Sequence, residues 1–142
     1  MDNITILSRT KSLLEERKQL EEKLNQIDQQ IAEVTRNCNH SIVVRIEEET
    51  EIRRINVKSE VCLFCQLFNP YPYKRRYMYD KTMEKLNKTV FIEKEEYAFL
   101  EQEGRDVFVI LEEMFKSVRE QFPNETEENI AIKVKEMLKT KQ

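Results

Sequence analysis

The chain has 142 residues, the size of one ordinary domain, and carries 36% charged and 39% hydrophobic residues with a formal charge of −3. One glycine and one histidine exclude a glycine-rich phosphate cradle and a three-histidine metal site. No apolar run approaches the roughly 20 residues that cross a bilayer. The opening Met1-Asp2-Asn3-Ile4 has neither a basic nor an apolar signal region, so a cytoplasmic protein without a membrane partner is expected.

Average usage would place about ten glycines in this length, most of them in tight turns. A chain with a single Gly104, rich in Glu, Lys, Leu and Ile, is expected to be mostly helical with few connections. The first third meets that expectation. Ile6, Leu13, Leu20, Ile27 and Val34 recur every seven residues, and Leu24 and Ile31 follow four residues after Leu20 and Ile27. This is a heptad seam with those five residues at d and Thr10, Arg17, Leu24 and Ile31 at a. Residues 1–36 are therefore predicted to form a coiled-coil-type helix. Its stripe calls for a partner helix, either a second copy in a homodimer or the C-terminal helices of the same chain.

Residues 37–68 change character. Ser41 to Ile46 is β-branched, with Ile42, Val44 and Ile46 alternating onto one face. Glu47 to Glu51 reads as a turn, and Ile52 to Val61 as a second strand. A β-hairpin follows, and all three cysteines and the histidine flank it: Cys38-Asn39-His40 on one side and Cys62-Leu63-Phe64-Cys65 on the other. A structural zinc takes four nitrogen or sulfur ligands in a closed tetrahedron, and Cys38, His40, Cys62 and Cys65 make up such a set. Two other readings exist for these cysteines, as small buried hydrophobes or as a redox pair. A redox C-x-x-C expects a βαβ setting, whereas Pro70 and Pro72 follow here; a disulfide framework is at odds with an odd cysteine number. Two ligand-bearing knuckles joined by a short hairpin resemble a zinc ribbon over about residues 36–68. The resemblance implies a stabilising or docking element and does not by itself imply catalysis. Two departures stand out: the first knuckle is C-x-H, and Gln66 occupies the place after the last cysteine where a glycine is common.

Residues 69–90 form a connecting segment with six Lys/Arg against two Asp/Glu in residues 67–90. Tyr71, Tyr73, Tyr77 and Tyr79 surround Lys74, Arg75 and Arg76. Tyrosine and arginine are contact residues of protein interfaces, and aromatics interleaved with basic side chains also grip single-stranded nucleic acid. The same tyrosines would equally cover the hairpin. An acidic chain favours the protein partner over the nucleic acid, since nucleic-acid domains mostly carry a basic field.

Residues 91–142 return to helix. Tyr97, Leu100, Gly104, Phe108, Leu111, Phe115, Val118 and Phe122 follow three-to-four spacing between Glu95 and Phe122, and Pro123 ends the pattern. Asn124, three residues before Glu127, predicts the start of a last helix with Ile130, Val134, Met137 and Leu138 inward. The expected architecture is mostly α: a long N-terminal helix, a small zinc-bearing β-hairpin and C-terminal helices. The expected function is a non-enzymatic interaction or regulatory protein that docks a protein partner; nucleic-acid binding through residues 71–79 is the alternative. No pair of carboxylates stands out for acid–base catalysis.

Overall fold

A computed structural model describes residues 1–49, 56–71 and 80–141. The protein is mostly helical with a small β part, in the order α1 (Asn3–Asn37), β1 (Ile42–Glu49), β2 (Asn56–Cys62), α2 (Asp80–Lys88), β3 (Val90–Ile92), α3 (Lys94–Glu101), α4 (Val107–Gln121) and α5 (Glu127–Lys141). It divides into two compact units, Met1–Asn37 and Cys38–Gln142. No helix among the described residues is long and apolar enough to cross a membrane.

The first unit is α1 alone. Asp2 caps it by accepting a 2.7 Å bond from the Thr5 amide, which also holds the Asp2 carboxyl below its ordinary range. Arg36 lies in the last turn, where the helix dipole favours a cation. None of its residues is buried.

The second unit is a three-stranded sheet in the order β2-β1-β3, with helices packed on one face. β1 and β2 pair antiparallel, with Val44 opposite Val61 and Val43 opposite Cys62. β3 runs parallel to β1, with Val44 opposite Ile92. Alternation along β1 sends Ile42 and Val44 into the helical core. There they join Ile92, Leu63, Leu100, Ile110, Leu111, Val118, Ile130, Val134 and Leu138, each 5% exposed or less. A buried side chain of this kind stabilises by about 1.5–3 kcal/mol, so this layer supplies the main driving force of the unit. Val43 faces the other way and is also fully buried, which a hairpin covered on one side only would not produce. On that second face Arg45 joins the strands. It pairs with Glu60 of β2 at 3.3 Å and with Glu93, just past β3, at 2.7 Å, and lies 4.3 Å from the centre of the Phe91 ring.

Four expectations need correction. Glu47 to Glu49 continue β1 and are not a turn; Thr50 and Glu51, with Ile52 and Ile55 of the expected second strand, lie outside the described residues. The connecting segment contains helix α2 and leads into β3, neither of which periodicity revealed. The single helix expected from Glu95 to Phe122 is two, because the chain breaks between Glu101 and Val107. Gly104 has φ +73° there, the left-handed conformation that glycine adopts without steric cost, and Asp106 recaps the chain by accepting from the Phe108 amide at 2.8 Å. Finally, Thr126 rather than Asn124 caps α5, accepting from the Asn129 amide at 3.3 Å.

Candidate metal centre

The sheet brings the ends of the hairpin together. Cys62 ends β2 directly opposite Val43, and the residues just before β1 are Cys38-Asn39-His40-Ser41. Cys38, His40, Cys62 and Cys65 converge there, with their ligand atoms all within 4.8 Å of one another. His40 and Cys62 are buried, Cys38 and Cys65 half-buried. None of the three cysteines is in a disulfide.

Two distances test whether this donor set fits a metal. Cys38 Sγ and Cys62 Sγ are 3.7 Å apart, and Cys65 Sγ lies 3.5 Å from His40 Nδ1. A zinc tetrahedron with its usual bond lengths has sulfur–sulfur edges of about 3.8 Å and sulfur–nitrogen edges of about 3.6 Å. Both separations match. Backbone amides also point at the sulfurs: His40 N–H donates to Cys38 Sγ at 3.4 Å, those of Phe64 and Cys65 to Cys62, and that of Leu67 to Cys65. Such bonds favour the thiolate, the form a metal needs.

Proximity couples the thiols. The bond from Cys62, with smaller help from His40, lowers Cys38 to about 3. The same bond and burial push Cys62 well above the ordinary thiol range, and burial pushes Cys65 up. The contact with Cys62 thus favours the thiolate at Cys38, and a bound cation would favour it at all three.

Both knuckles require unusual backbone. His40 has φ +50° and Gln66 has φ +62°. Gln66 therefore keeps the left-handed conformation that a glycine would hold more cheaply, while its amide closes the turn onto the Cys62 carbonyl at 3.0 Å. A side chain there costs roughly 1–2 kcal/mol, partly offset by the greater unfolded-state entropy of glycine. Gln66→Gly is expected to stabilise the protein by about 0.5–1 kcal/mol, read as a higher chemical-denaturation midpoint with unchanged metal content.

A third element, absent from the sequence expectation, braces the first knuckle. Lys85 Nζ of α2 donates to the Cys38 carbonyl at 3.2 Å. The Thr89 hydroxyl lies 2.9 Å from the His40 carbonyl, 2.7 Å from the Lys85 carbonyl and 2.8 Å from the Tyr71 hydroxyl. A hydroxyl carries one proton, so Tyr71 donates to Thr89 and Thr89 directs its own proton to the carbonyls. The Val90 amide closes on the Ser41 carbonyl at 2.9 Å.

Tyr71, expected among the partner-contact residues, is only 2% exposed and packs edge-on against the His40 ring with centroids 5.7 Å apart. It belongs to the surroundings of the candidate ligands, and burial pushes its phenol above the ordinary tyrosine range. Tyr73, Lys74, Arg75, Arg76, Tyr77 and Tyr79 lie outside the described residues. No local pattern marks Lys85 or Thr89, whose partners stand 47 and 49 residues earlier. The chain matches no protein-family model, no curated protein and no solved structure, so its own geometry is the guide to its function.

Proposed function

We propose that Cys38, His40, Cys62 and Cys65 hold one structural zinc ion in a zinc-ribbon-like centre, and that the chain is a non-enzymatic interaction module that docks a protein partner. The observation that carries the zinc reading is the pair of tetrahedral edges, 3.7 Å between sulfurs and 3.5 Å from sulfur to nitrogen, within a set of four protein donors. Four protein ligands fill a tetrahedron and leave no position for a substrate, which is the mark of a structural site. The ion would tie the start of β1 to the end of β2, two points that no disulfide joins.

Support for a protein partner comes from the surface beside the second knuckle. Phe68 is 60% exposed there and Leu67 is also exposed. Phe68 lines an open cleft of about 350 Å³ with Ile46, Val61, Gln66, Asp106 and Phe108. Exposed aromatics over an apolar floor are the usual anchors of protein contacts. Nucleic-acid binding has one observation in its favour: Lys81, Lys85 and Lys88 line a hollow beside Asn39 of the first knuckle. Glu84 and Glu128 line the same hollow, and Lys88 pairs with Glu84 at 3.2 Å, which weakens its pull on a polyanion.

Elemental analysis of the chain purified without added metal tests the central claim. One zinc per chain is expected, with the three thiols unreactive until a chelator is added. A metal-free, folded protein with three titrating thiols would overturn it. Tight binding of single-stranded RNA that weakens steeply with salt would replace the protein partner with a nucleic acid.

A further inference from the structure

The seam of α1 is uncovered. From Ile6 to Val34 its residues are 45% to 63% exposed, and no α1 residue is buried. The inward-facing apolar residues of α4 and α5 are already committed to the sheet and to each other: Leu111, Val118, Ile130, Val134 and Leu138 are 0–3% exposed, and the exposed Val109 and Ile132 are single residues with no seven-residue stripe. A 35-residue helix is about 52 Å long, and a stripe that repeats every seven residues is matched by another helix with the same repeat.

We propose that a second copy of this chain covers the seam, the two α1 helices running antiparallel along their full length. Charge complementarity selects both the occupant and the direction. In a parallel, in-register pair, Lys23 at g would face Asp28 at e, but Arg17 at an a position would meet Arg17 of the second copy and Glu16 at g would face Glu21 at e. Like charges at these places oppose association. Reversing one helix about the point between Lys18 and Gln19 sets Leu13 against Leu24, Ile6 against Ile31 and Arg17 against Leu20. Glu16 then faces Lys23, twice by symmetry, and no like pair remains at these positions. Arg17 already pairs with Glu21 of its own helix at 3.2 Å, which draws its charge to the rim and lays its stem along the seam. The assignment does not depend on the zinc reading.

Sedimentation equilibrium on the full chain tests it, with metal content measured on every variant so that the two readings fail separately. The wild type is expected as a dimer at micromolar concentration, and Leu24→Asp as a monomer with the sheet unit folded and its metal content unchanged. A wild type that stays monomeric overturns the proposal. Glu16→Lys reads the direction: it turns two attractive pairs into Lys–Lys contacts and is expected to weaken the dimer on the order of tenfold, with Lys23→Glu in the same chain restoring it. Tighter association of Glu16→Lys alone would show a parallel pair and overturn the antiparallel assignment.

Discussion

Cys62→Ser is expected to unfold the sheet unit and spare α1. Cys62 is the buried candidate ligand that ends β2, and its sulfur contacts Cys38 while its carbonyl and amide close the second knuckle. Structural zinc contributes on the order of 10 kcal/mol or more in small zinc modules, comparable with the whole stability of a domain, about 5–15 kcal/mol. Losing one of four ligands therefore outweighs any other single change near the site. Amide exchange should show loss of protection in β1, β2 and β3, while circular dichroism retains the signal of α1, a separate unit with no buried residue. A variant that keeps its sheet protected and its metal bound would remove Cys62 from the ligand set.

The second large effect is expected at Lys135. Its ammonium on α5 donates to the Phe91 carbonyl at 2.6 Å and is ion-paired with Glu96 of α3, whose side chain is 6% exposed. The Glu96 carboxylate also accepts from the Glu93 amide at 3.0 Å, and its second oxygen is buried with no hydrogen-bond partner among the described residues. Lys135→Met strands that carboxylate in the interior and should cost about 3–5 kcal/mol. The double variant Lys135→Met with Glu96→Leu should recover most of the loss, since replacing both partners of a buried pair by apolar residues is often neutral. Denaturant titration of the three proteins measures it. Equal destabilisation by the single and double variants would show that packing, and not the stranded charge, sets the cost.

Much of this architecture was written in local patterns. The seven-residue repeat from Ile6 to Val34 predicted α1 almost to its ends, because a helical period acts over neighbouring turns and needs no distant partner. The β-branched run at Ile42 to Ile46 predicted β1, and Ile130, Val134 and Leu138 fell inside as their spacing required. The four candidate ligands were legible for a chemical reason. Thiols and imidazoles are scarce here, and all of them flank one hairpin.

Tertiary structure decided the rest. Val90–Ile92 is too short to show any period, and it is a strand because Ile42–Val44, almost fifty residues earlier, offers it a parallel edge. Val43 is buried on the face opposite the core, Tyr71 turns inward to Thr89 and the His40 ring, and Lys85 and Thr89 hold the carbonyls of the first knuckle. The hydrogen bonds and the ring contact among these join residues 18 to 49 positions apart. The sequence by itself determined which atoms can ligate a metal and which residues line each helix face, since chemistry and period are local. Only the folded chain decided that the four candidate ligand atoms come within 4.8 Å of one another, because that depends on where two strands and a distant helix meet.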